Sequence, residues 1–408
     1  MEKQKKHFAW AIFGVIIILL SACQSNVYSV DLNMAATYAA QTLAAMPTDT
    51  PTASPTPTPT EVEPTPTPTE AEPTPTPEPT LGPVGPVDFP EDVNPLTGLL
   101  VEDPSILDRR PVLVKVANYP VSGRPHAGLS FADLVFEYYI GGGGNRFVGL
   151  FYGQDAEQIG PVRSGRMVDP YITSLYEGIL GMAFADPTVN AHIRTILGNR
   201  VISDKRLCPG LCDDGRNLVI STFGNSEALT RIASQRGVVN QRYLLDGMAF
   251  DPDVPDGGQT ADVVSIRFSQ VNPSEWRYDE DSGLYLRWID NQPGMAIDLI
   301  PLVDRVTDEQ LAFSNVAVIF VNHNEITPSL HDMNLWDNTG GRRAFVFRDG
   351  QAFDLTWRTP RRNQPIQFID STGDVFFLKP GNTWVVIIGL NSGVISVDGT
   401  WTFNFSMP

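Results

Sequence analysis

Beyond residue 87 the chain is built of short apolar runs broken by turn residues. Pro111–Val116 (PVLVKV) is apolar at nearly every position, the pattern of a strand covered on both faces. Asp133–Tyr139 (DLVFEYY) and Arg146–Tyr152 (RFVGLFY) read as two more strands. Gly141–Gly144 lies between them and supplies dihedrals that other residues avoid, so it reads as a hairpin connection. Met167–Leu180 and Glu227–Ser234 have helical spacing, and Gly181–Ala185 reads as a short strand. From about Gly257 the pattern shifts to alternation, with strands expected over Val263–Phe268, Glu275–Asp279, Leu284–Ile289 and Val316–Val321. Asp349-Gly350 between Ala344–Phe347 and Gln351–Trp357 is a strong hairpin signal. Ser371–Asp374 predicts a second hairpin between Pro365–Ile369 and Val375–Leu378. Thr383–Ile388 reads as a further strand, and the residues after Gly389 add an edge strand. The fold class expected is α+β. An N-terminal mixed α/β domain spans 87–256, and a mostly β C-terminal domain, a sandwich or small barrel, spans 257–408.

The first 86 residues follow other rules. Lys3, Lys5 and Lys6 precede an apolar core, Ala9–Leu20, too short for a comfortable membrane span and right for a signal peptide. It ends in Leu20-Ser21-Ala22-Cys23, which resembles the bacterial lipobox. That implies a signal peptide over 1–22, lipidation of Cys23, and attachment to the extracytoplasmic face of the cell membrane. Stable attachment takes more than one acyl chain. Residues 23–46 read as the lipidated N-terminus and a short helical spacer. Residues 47–86 form a Pro/Thr-rich stalk in which repeated proline blocks helix and sheet. At about 3.1 Å per residue in polyproline II, its reach is on the order of 100 Å. The threonines are either O-glycan acceptors or an unmodified linker.

Charge then narrows the partners. The formal net charge of −18, with no Lys/Arg stripe, argues against nucleic acid. With Cys23 spoken for, Cys208 and Cys212 remain, around the turn-forming Pro209-Gly210. They are either a disulfide, as an oxidising compartment favours, or two free thiols. Two cysteines without nearby histidines make a poor zinc site, and no metal or cofactor is expected.

In an acidic chain, Arg124, Arg146, Arg163 and Arg166 stand out among loops and strand ends. Converging, they would make a pocket for a carboxylate or phosphate, which the guanidinium fork matches. The competing reading pairs them with Asp133 or Glu137 as internal salt bridges. Ser164 with His126 and Asp133 or Asp169 could be assembled into a hydrolase, but no GxSxG elbow surrounds Ser164, which reads instead as a cap for a helix starting at Gly165. Trp336, Trp357, Trp384 and Trp401 with Arg358, Arg361 and Arg362 could form a sugar-binding platform. Trp357 and Trp384 fit a β core better, and Trp336 is the candidate for exposure.

Asn94-Pro95-Leu96-Thr97-Gly98-Leu99, Arg124-Pro125, Gly128-Leu129-Ser130, Ala132-Asp133-Leu134-Val135, Asn145-Arg146-Phe147 and Ile159-Gly160-Pro161-Val162-Arg163-Ser164 occur in one order. They resemble the N-terminal domain of the YerB-like lipoprotein family, which usually has Thr where Asn145 stands and Ala where Gly165 stands. Phe347-Arg348-Asp349-Gly350, Trp357, Phe368 and Leu378-Lys379-Pro380-Gly381-Asn382-Thr383-Trp384 resemble its C-terminal domain. The resemblance implies fold and location and brings no agreed activity. The role expected is binding of a cell-envelope glycan or other anionic ligand. The alternatives are hydrolysis of an anionic envelope substrate or a structural partnership with an envelope protein.

Overall fold

The computed structural model describes residues 82–407 apart from 217–218, 271, 292–297 and 337. The signal peptide, Cys23, the spacer and nearly all of the stalk lie outside the described residues. The folded body begins before residue 87, because Val84 already pairs with Phe250.

Strand β1 (Val112–Ala117) is followed by the hairpin β2 (Leu134–Gly141) and β3 (Gly144–Phe151). Gly142 and Gly143 hold φ of 60° and 78°, as a two-residue connection matching strand twist requires. Helix α1 (Asp169–Leu175) is shorter than its apolar spacing predicts. The chain leaves it through Glu177 at φ 51° and passes Leu113 so closely at Gly178 that a Cβ there would lie 2.2 Å from the leucine. Strand β4 (Ile179–Gly181) therefore starts earlier than expected. Ser164 stands five residues before α1 and does not cap it. Helix α2 (Pro187–Leu197) is capped by Asp186 and leads to β5 (Val201–Ile202). Helix α3 (Ser226–Gln235) is capped by Asn225, whose side chain accepts from the Ala228 amide.

In the second half β6 (Val263–Ser269), β7 (Asn272–Asp279), β8 (Leu284–Asp290) and β9 (Leu299–Pro301) are followed by β10 (Asn315–Val321). Then come β11 (Arg342–Arg348), β12 (Gln351–Arg358), β13 (Gln367–Ile369), β14 (Thr383–Gly389), β15 (Gly393–Val397) and β16 (Thr400–Asn404). Asp349 and Gly350 both have positive φ and close the β11–β12 hairpin in the register Arg348↔Gln351. The second expected hairpin shrinks to a bridge, Ile369↔Val375, because Phe377-Leu378 pairs with Ala249-Phe250 instead.

One sheet unites both halves in the order β13-β12-β11-β10-β14-β2-β3-β1-β4-β5, with Gln259–Thr260 on β12. The join is β14, parallel to β2 on one side and to β10 on the other. Every residue of β14 is buried, which accounts for its unbroken apolar run. The 257–408 half therefore does not close a sandwich of its own. Six of its other strands form a second sheet, β9-β8-β7-β6-β16-β15, packed on one face of the shared sheet through Trp276, Tyr285 and Phe403. The C-terminal residues supply more than an edge: β16 lies between β6 and β15. The body is mostly β, and the three α-helices of the described residues lie between 169 and 235. Helices α1 and α2 cover the opposite face of the shared sheet, where Leu113, Phe136 and Val148 meet Ile172 and Ile193.

A buried polar knot fastens the halves. Glu137 of β2 lies 3.3 Å from Arg287 of β8 and accepts from Ser274 at 2.6 Å and from the Trp384 indole at 2.8 Å. Asn145 also donates to it. Glu137 and Arg287 are both fully buried, so each charge depends on the other for compensation.

Candidate anion site

Alternation along three adjacent strands brings the site together. Lys115 on β1, Tyr138 on β2 and Arg146 on β3 point to the helix-bearing face, since Leu113, Phe136 and Val148, two residues away on the same strands, face that core. Their neighbours Glu137 and Asn145 point to the other face, into the polar knot. The loop after β3 returns antiparallel past β1, where the Arg163 amide donates to the Lys115 carbonyl at 2.9 Å. This carries Arg163 and Arg166 to the position of Arg146.

Arg146 and Arg166 share one acceptor, the Ser164 carbonyl, at 2.8 and 3.4 Å. Arg166 also donates to the Gly165 carbonyl at 2.9 Å, and Arg163 to the Val219 carbonyl at 3.2 Å. The partners of all three guanidinium groups among the described residues are backbone carbonyls. The Nε atoms of Arg163 and Arg166 are buried without a partner. Burial and the nearby Arg166 and Arg163 charges push Arg146 down to about 9. Burial and Arg166 lower Arg163 as well.

Beneath them, the Lys115 ammonium is fully buried, bonded to the Tyr138 hydroxyl and 3.4 Å from Asp169 Oδ1. The Tyr138 hydroxyl donates to the same Asp169 oxygen, and the Arg166 amide donates to Oδ2 at 2.7 Å. Both carboxylate oxygens are thus occupied, and neither bonds a guanidinium group. Burial lowers Lys115 well below an ordinary lysine, with Asp169 opposing and Arg146 and Arg166 reinforcing that shift. The sequence held one signal for this layer: a lysine inside an otherwise apolar strand must bury its charge or find partners. Tyr138 and Asp169 carried no comparable signal.

The four arginines do not act alike. Arg124 leaves the group and pairs with Asp290 at 3.2 Å, beside Tyr119. Neither Asp133 nor Glu137 pairs with any of the four. Asp133 accepts from Asn94 at 2.6 Å and the Tyr152 amide at 2.6 Å, while burial raises it to about 6. The hydrolase constellation does not assemble either. His126 Nε2 pairs with the Ala117 carbonyl, and no hydrogen bond among the described residues links the Ser164 hydroxyl to His126, Asp133 or Asp169.

Trp336 is half-buried rather than exposed, edge-on to Tyr171 at 4.8 Å, with the Arg362 guanidinium over its ring at 4.8 Å. Trp357 and Trp384 are core residues, and Trp401 is buried with its indole on the Thr260 carbonyl. Arg358 bonds Gln367, so a wider tryptophan–arginine platform does not form. Cys208 and Cys212 are bonded, with Cα atoms 4.7 Å apart. A cleft of about 840 Å³ lies elsewhere, lined by Glu102, Asp103, Asp133 and Asp155, and its charge repels anions.

Residues 96–237 match the family described as "Protein of unknown function (DUF3048) N-terminal domain", and residues 264–385 match the C-terminal domain of the same family. The chain belongs to the DUF3048, or YerB-like, family. A family member from Bacillus subtilis, named "Putative lipoprotein YerB", is 26% identical over 306 residues, covering 72% of this chain and 85% of its own. A crystal structure of the YerB protein from Bacillus subtilis superposes with a TM-score of 0.60 at 24% identity. It covers 72% of this chain and 96% of that one, and it supports the YerB-like fold. Gly165 borders the site, whereas the Asn145 side chain points away from it and donates to Glu137. A Cβ at Gly165 would lie 2.6 Å from Met182 Sδ and 2.7 Å from Ile193 Cδ1, so glycine lets this loop press on α2.

Proposed function

We propose that this chain is a lipoprotein anchored through Cys23 on the extracytoplasmic face of the membrane, where it binds an anionic ligand of the cell envelope through Arg146, Arg163 and Arg166. The observation that carries this reading is the meeting of three guanidinium groups whose partners are carbonyls, in a chain of net charge −18. Carboxylates were abundant and were not used. The positive potential thus stays available to a ligand from outside, held by charge-assisted hydrogen bonds. The YerB relative's name supports the lipid anchor. The Pro/Thr stalk would let the body work well away from the lipid surface.

Two measurements test the reading. Cys23→Ser should abolish labelling by a palmitate analogue, and equal labelling of the variant would defeat the anchor. The full-length protein in detergent should co-sediment with purified cell-wall material and be released by salt, since the contact is electrostatic. Arg163→Gln should lose most of that retention. Retention equal to wild type would remove the arginines from the interface.

A further inference from the structure

From the same cluster we infer the ligand's chemistry: the site takes the terminal phosphate of a phosphomonoester, a dianion with three free oxygens. This rests on the anion-binding reading above and narrows it. Two features of the site favour phosphate over carboxylate.

The first is the number of donors. Arg146, Arg163 and Arg166 come from β3 and from both ends of the 163–166 loop; the Arg146 and Arg166 guanidinium groups meet at the Ser164 carbonyl, and Arg163 lies near enough for its charge to act on Arg146. A carboxylate has two oxygens in one plane, so three forks must share them. A phosphomonoester presents three oxygens in a tripod, one for each guanidinium.

The second is charge. Lys115 and Asp169 offset one another at 3.4 Å, so the three guanidinium cations leave a formal surplus of three. A monocarboxylate would leave two of those charges unmatched, whereas a dianion leaves one.

The test is equilibrium binding to the full-length lipoprotein in detergent at pH 8, where phosphate is dianionic. Inorganic phosphate, glucose 6-phosphate and acetate serve as probes, read by calorimetry. Phosphate or glucose 6-phosphate should bind at least about tenfold more tightly than acetate, and the tighter of the two identifies the free ion or the sugar-borne group. Arg146→Lys and Arg163→Gln should each weaken phosphate binding about tenfold, the worth of one charge-assisted contact. Arg146→Lys keeps the charge and removes the fork, so a loss in a variant with wild-type melting reports recognition rather than folding. Acetate binding as tightly as phosphate would overturn the phosphate inference and leave the anion reading standing. Absence of phosphate binding alongside arginine-dependent retention on cell wall would do the same. If both binding and retention fail, both readings fall.

Discussion

At the scale of single residues, the arginine cluster and the polar knot predict opposite responses to the loss of a charge. Arg146 is crowded by like charges, so Arg146→Gln should leave the urea midpoint within a few tenths of a molar of wild type, or raise it. Arg287→Met strands Glu137 in the core and should cost roughly 3–5 kcal/mol, as removal of one member of a buried pair does. Equal losses from the two variants would contradict the placing of Arg146 among like charges that it is better without. Buried histidines give a pH signature. His126 is held down to about 3 by burial and by Arg124, and His323 to about 4 by burial and by His331. Both stay neutral in the folded state while the unfolded chain takes up protons below about pH 6.5, so stability falls as pH drops from 6.5 toward 4. Asp133 works the other way. Its folded value of about 6 exceeds the unfolded 3.8, so its protonation on acidification favours the folded state. Asp133→Asn removes that offset, and urea titrations at pH 7, 6, 5 and 4 should show a steeper acid loss than wild type. A shallower loss would mean that Asp133 does not carry the proton.

At the scale of elements, β14 shows what the sequence made legible. Its apolar run announced a strand, and both Asp-Gly and the glycine run announced hairpins whose positive φ the structure contains. The partners of β14 were not legible, because parallel pairing with β2 and β10 joins segments far apart in the chain and leaves no local pattern. The same limit governed the site. Arg146, Arg163 and Arg166 were visible as candidates by composition, whereas the β1–β3 register that puts Arg146 on the face of Lys115 was not. That Arg124 would leave for Asp290 depended on a contact 166 residues away. Trp384 gives the element-scale prediction. Its indole N–H donates to Glu137 Oε2 at 2.8 Å, so Trp384→Phe keeps the ring and loses one hydrogen bond to a buried carboxylate. The expected cost is about 1.5–3 kcal/mol with an unchanged urea slope. A neutral result would show that Asn145, Ser274 and Arg287 already satisfy the carboxylate.

At the scale of the whole molecule, the shared sheet decides whether the two halves can exist apart. Family matches divide the chain at about the point where its patterning changes, yet no core closes within either part. Cutting near residue 256 would strip β14 from β2 and leave Leu134–Tyr138 as a bare, apolar strand edge, a template for aggregation. It would also separate Glu137 from Arg287, and the 123–130 segment from Asp304, whose carboxylate accepts from the Gly128 and Ser130 amides at 2.9 Å each. Residues 82–256 and 257–408, each expressed alone, should therefore aggregate. Co-expressed, the two should purify together as a one-to-one complex with a single cooperative melt, because every inter-strand pairing is restored except the covalent link. A soluble, cooperatively melting 82–256 fragment would show that the first half carries its own core. The arginine cluster, whose three residues all lie in that half, could then be studied without β14.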